Sequence, residues 1–133
     1  MIYRHYKGGL YFVVGYVTRF TSYNSKSIED KVVAKHVDDL RKIKIFSVKD
    51  VNSHGEYFAF DDDSLNGIYV LYKSLNDDYW LREREDFFGL VEKDIDGHIV
   101  DIPRFERISG EYLFNEISHI QSHSYWQVIN IMV

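Results

Sequence analysis

Short aromatic and β-branched runs, cut at close intervals by turn residues, dominate this chain. Tyr, Phe and Trp number 11, 9 and 2 among 133 residues, and such side chains pack well on a pleated, half-buried surface. Tyr3–Tyr6, Leu10–Val14, Ile43–Val51, Glu56–Phe60, Ile68–Tyr72 and Tyr79–Arg82 read as strands, followed by an apolar run over Asp86–Val91 and by Ile99-Val100 leading to Pro103-Arg104-Phe105. Gly8-Gly9, Asp61–Ser64, Asn66-Gly67, Asn76–Asp78 and Asp96-Gly97 punctuate them. Asn-Gly and Asp-Gly are the strongest short hairpin signals, because both turn residues must take positive φ. Strands broken by turns about every 8–12 residues predict a mainly β domain, a small SH3-like barrel or roll.

One segment breaks the pattern. From Ser27 to Lys42 the residues Ile28, Val32, Val33, His36, Val37 and Leu40 fall on one half of a helical wheel, with Lys31, Lys35 and Lys42 opposite. Ser27 and Asp30 stand as in a capping box. This spacing predicts one inserted amphipathic helix.

Composition narrows the class of protein. The chain has no cysteine, which excludes disulfides, zinc–thiolate sites and thiol catalysis. No run approaches the roughly 20 apolar residues of a membrane span, and Met1-Ile2 is followed by Tyr3-Arg4-His5-Tyr6-Lys7 rather than a signal-peptide core. A soluble, cytoplasmic protein is expected. The net charge of −5 is uneven: residues 1–50 carry ten Lys/Arg against five Asp/Glu, and residues 51–133 carry six against sixteen. An acidic whole argues against binding duplex nucleic acid, which draws on a basic surface.

Several motifs resemble a known family, a small bacterial and prophage domain of unknown function. They are Tyr3-Arg4-His5-Tyr6-Lys7-Gly8 with Tyr11, then Val70-Leu71-Tyr72, Trp80-Leu81-Arg82, Asp96-Gly97 and Pro103-Arg104-Phe105. The chain departs from the family at Glu83, where the family has proline, and over residues 20–67, where the family has a short connection. The resemblance implies a compact β-barrel core over 3–16 and 68–107, an inserted segment 20–67 and a C-terminal extension 108–133, within one domain spanning 1–133. It implies no reaction.

The family-like segments hold most of the chemistry. Arg4, His5, Lys7, Trp80, Arg82 and Arg104 all fall within them. Arginine offers a planar fork to carboxylate or phosphate, and aromatic faces stack on bases, so these six are the candidate ligand-binding residues for a nucleotide-like anion. Glu116, His119 and His123 have the spacing of a helical metal face but lack a fourth ligand. Asp61-Asp62-Asp63 lacks the alternation of a calcium loop. No nucleophile elbow or phosphate loop is present. No catalytic residue, metal or cofactor is assigned.

The expected function is therefore a non-catalytic binding module, a phage or prophage protein that binds or sequesters a small nucleotide-like anion. The alternatives are a protein-interaction module acting through the helix and the acidic half, and an enzyme of unknown reaction. The apolar end, Val128-Ile129-Asn130-Ile131-Met132-Val133, predicts a terminal strand that is either an inner strand of the barrel or an edge paired with a second copy, the second arrangement making a homo-oligomer.

Overall fold

The computed structural model describes residues 1–20, 26–50 and 55–108. Their elements in chain order are β1 (Ile2–His5), β2 (Leu10–Arg19), β3 (Lys26–His36), β4 (Lys42–Asp50), β5 (Glu56–Phe60), β6 (Tyr69–Ser74), β7 (Tyr79–Glu83), α1 (Arg84–Phe87), β8 (Leu90–Ile95), β9 (His98–Pro103) and β10 (Phe105–Arg107). The protein is mainly β, and its centre is a closed six-stranded barrel in the order β2-β5-β4-β3-β7-β6, with β6 returning to β2. The expected small β-barrel is the observed fold.

Contacts divide the chain into two compact units. Among the described residues, one is the barrel, within Val14–Tyr72 and Tyr79–Arg84; the other joins Met1–Val13, Lys73–Asp78 and residues 85–108. The barrel interior is filled by Val17, Ala34, Ile45, Phe60, Leu71 and Leu81, each at most 1% exposed. These come from six different segments of the circle, so the barrel is a packed core rather than a pore. A second apolar cluster joins Phe20, Phe46, Val48 and Ala59.

The expected helix over Ser27–Lys42 is corrected by the structure: Lys26–His36 is a strand. It pairs antiparallel with β4 from Lys26↔Asp50 to Lys35↔Lys42, with a bulge between Asp30 and Val32, and parallel with β7. A spacing of four residues lies on one face of a helix and also on one face of a strand, so Val32 and His36 satisfied both patterns. Ala34 separates the two. It is fully buried, while Ile28, Val33 and Leu40 are 43%, 55% and 61% exposed. β-branched residues are crowded in a helix and pack well on a pleated sheet, and β4 and β7 are there to pair with them. Residues 26–60 thus supply three of the six barrel strands, so the segment expected as an insert is built into the barrel.

Two smaller expectations also change. Asp86–Val91 is not one strand: α1 ends at Phe87 and β8 begins at Leu90. Asn66-Gly67 does not close a hairpin between β5 and β6. β5 pairs instead with β4 and β2, and β6 with β7 and β2, so Gly67 uses its positive φ of 95° inside a longer connection. Asp96-Gly97 behaves as expected. Both residues have positive φ, 53° and 82°, and they close the β8–β9 hairpin at Ile95↔His98. The terminal run Val128–Val133 and the Glu116, His119 and His123 set lie outside the described residues. Among the described residues, no helix is long and apolar enough to cross a membrane.

Candidate functional site

The candidate site lies in the unit that holds the chain's beginning. β1 pairs antiparallel with both the start of β2 and β10. Gly8 and Gly9, with φ of 98° and 83°, turn the chain between β1 and β2. The His5 N–H donates to the Gly9 carbonyl (3.1 Å) and the Gly8 N–H to the His5 carbonyl (2.8 Å). Conformations of this kind cost an L-residue side chain but not glycine.

Beneath this turn is an aromatic cluster. The Phe87 ring stacks on Phe105, and Tyr3 meets Phe87 edge-on at 5.4 Å. The His5 ring packs on Tyr6 at 4.6 Å and against Phe105 at 4.9 Å. His5 Nδ1 accepts the Lys7 N–H at 3.2 Å, so a neutral ring carries its proton on Nε2.

Above the cluster opens a cleft of about 400 Å³. It is lined by Arg4 and His5 of β1, Tyr6 and Gly8 of the turn, Lys93 and Ile95 of β8, Ile102 and Pro103 of β9, and Glu106 of β10. Strand alternation puts Lys93 and Ile95 on one face of the β8–β9 ribbon, with Val91 and Ile102 at its other end. Arg4 Nη2 lies 3.4 Å from Glu106 Oε2, across directly paired strand positions. The Glu106 side chain is 63% exposed, so this pair is weak.

The other expected site residues are placed differently. Lys7 sits in the turn, its ammonium 5.6 Å from the centre of the Tyr6 ring. Arg104 ties the chain to itself: Nε donates to the Asp86 carbonyl at 3.2 Å, and Nη2 lies 3.4 Å from the Asp86 carboxylate. Its own carbonyl accepts the Tyr6 N–H at 2.9 Å, so Arg104 holds Tyr6 in place. Trp80 and Arg82 belong to the barrel unit. There the Lys35 ammonium lies 5.5 Å from the Trp80 ring centre, and Arg82 Nε donates to the Tyr72 hydroxyl at 3.4 Å.

Sequence reasoning missed Tyr6 and Lys93 as cleft residues. Lys93 was legible in principle. Once Asp96-Gly97 fixes the hairpin, alternation puts Lys93 on the same face as Ile95.

The groups with displaced pKa lie elsewhere. Hydrogen bonds from Ser64 hold the Asp62 carboxyl below its ordinary value, and a bond from Ser47 does the same for Glu56. Burial raises the Tyr69 phenol, and burial with the nearby Arg107 lowers the Met1 amine. Among the described residues, no group of three His, Asp or Glu side chains is placed to hold a metal. Compared with known proteins, the chain matches no family model, no curated protein and no solved structure.

Proposed function

We propose that this protein is a non-catalytic binding module and that the cleft beside the β1–β2 turn takes a small nucleotide-like anion. One observation carries the reading: Arg4, Lys93 and Tyr6 line the same cleft of about 400 Å³. That volume suits a small ligand. Two cations answer a phosphate or carboxylate, and the tyrosine adds an aromatic side chain beside them. Ile95, Ile102 and Pro103 supply the apolar wall. Kinship with the small bacterial and prophage domain is part of the same proposal, because Arg4, His5, Tyr6 and Pro103 belong to its motifs. Self-association through the apolar chain end belongs to it too.

Recognition of a partner protein through a helix over Ser27–Lys42 is set aside, since that segment forms β3 and the start of β4.

Calorimetry against mono-, di- and cyclic nucleotides tests the reading. Binding is expected to weaken with salt and to fall at least tenfold in both Arg4→Ala and Lys93→Ala. No binding across the panel, or binding indifferent to both substitutions, overturns it.

A further inference from the structure

The barrel carries a second cationic surface that the cleft does not use. Lys35 of β3 stands in direct register with Trp80 of β7 on one side and with Lys42 of β4 on the other. Alternation puts all three on the outer face, because the flanking Ala34, Ile43 and Leu81 fill the barrel core. Like charges directly opposite on paired strands destabilise a sheet, so Lys35 opposite Lys42 works against the fold. A local conflict of this kind is expected where function sets the residue. Trp80 at the end of the row is half-buried, with the Lys35 ammonium 5.5 Å from its ring centre.

We propose that the Trp80–Lys35–Lys42 row on the outer face of β7, β3 and β4 binds single-stranded nucleic acid. Each part of the row answers one part of that ligand. A base stacks on the Trp80 ring in place of the Lys35 ammonium, and the two lysines then meet successive phosphates. A row running across the strands suits a flexible single strand, whereas the acidic whole disfavours a duplex.

Neighbouring acids set the limits of the row. Lys44 is paired with Asp30 at 3.0 Å and Lys31 with Glu29 at 3.6 Å, so neither is counted in it. Asp61 and Asp62 line a hollow of about 220 Å³ with Lys42 and Lys44. Asp62 is held by Ser64 and by Arg41, whose Nη1 lies 3.3 Å from its carboxylate. The inference stands independently of the cleft.

The test is fluorescence anisotropy of a labelled oligothymidylate, with a duplex of equal length and polyglutamate as competitors. Wild-type protein is expected to bind the single strand at low salt and to prefer it to both competitors. Lys35→Ala and Lys42→Ala should each flatten the salt dependence by about 0.7 in log–log slope. Trp80→Leu should weaken binding about tenfold with the slope kept. Lys42→Gln is the decisive variant: it removes the like-charge pair without setting a carboxylate beside Asp61 and Asp62, so it should raise the unfolding midpoint while it weakens binding. Absence of single-strand binding, equal competition by polyglutamate, or variants that leave affinity and slope unchanged would each overturn the proposal.

Discussion

The rings of Phe87 and Phe105 lie 4.1 Å apart at their centres and 6° from parallel. Phe87 comes from α1 and Phe105 from β10, and they are 0% and 5% exposed. Tyr3 closes on Phe87 edge-on, and His5 and Tyr11 close on Phe105. The cleft's β1 wall therefore rests on this stack. Phe87→Ala is expected to cost about 3–5 kcal/mol of stability, as large aromatic truncations in cores do. Urea denaturation followed by circular dichroism checks this, and a loss below about 1 kcal/mol would show that the stack bears little of the fold.

Leu40 gives the opposite expectation. It is 61% exposed and has a φ of 61° in the turn between β3 and β4, where its N–H donates to the His36 carbonyl at 2.9 Å. A helix would have buried it, and a charge there would have been ruinous. In the strand–turn–strand arrangement Leu40→Asp should leave the melting temperature nearly unchanged. Leu40→Asn should raise stability by a few tenths of a kcal/mol to about 1 kcal/mol, since asparagine tolerates the left-handed region. Cooperative loss of structure in Leu40→Asp would contradict the β3–β4 hairpin.

Asp62 supplies a pH dependence. Its carboxylate accepts the Ser64 hydroxyl at 2.5 Å and the Ser64 N–H at 2.9 Å, and these bonds lower its pKa from an ordinary 3.8. A depressed carboxylate pKa stabilises the fold at pH above the ordinary value, and this contribution disappears as pH falls through the folded pKa. Acid should therefore weaken the native state below about pH 4 partly through Asp62. Ser64→Ala removes the hydroxyl, so carboxyl-detected NMR should show the Asp62 pKa moving up. An unmoved titration would mean that Ser64 does not hold the charge.

These contrasts show what the sequence carries. The strands with unambiguous composition and true hairpin signals were legible: Glu56–Phe60, Tyr79–Arg82 and the Asp96-Gly97 turn stand where the residues put them, while Leu10–Val14 is only the first half of β2, which continues through Gly15 to Arg19. Ser27–Lys42 was misread because a four-residue spacing fits both periods, and only Ala34, buried with no polar marker of its own, separates them. Closure of the barrel depends on parallel pairings of β2 with β5 and of β3 with β7. Those are long-range contacts that no local signal encodes. Half of the site was legible for a similar reason. Arg4 and His5 lie within one short motif, but Lys93 reaches the cleft only through the β8–β9 hairpin, and the fork of Arg104 is occupied by Asp86.

The central claim is that the cleft beside the β1–β2 turn binds a nucleotide-like anion. A two-dimensional amide NMR titration of the whole protein with nucleoside mono- and diphosphates tests it most directly. Saturable shifts confined to Arg4, His5, Tyr6, Gly8, Lys93, Ile95 and Glu106, and lost in Lys93→Ala, are the predicted result. Shifts centred on Lys35, Lys42 and Trp80 instead, or none at millimolar ligand, would contradict it.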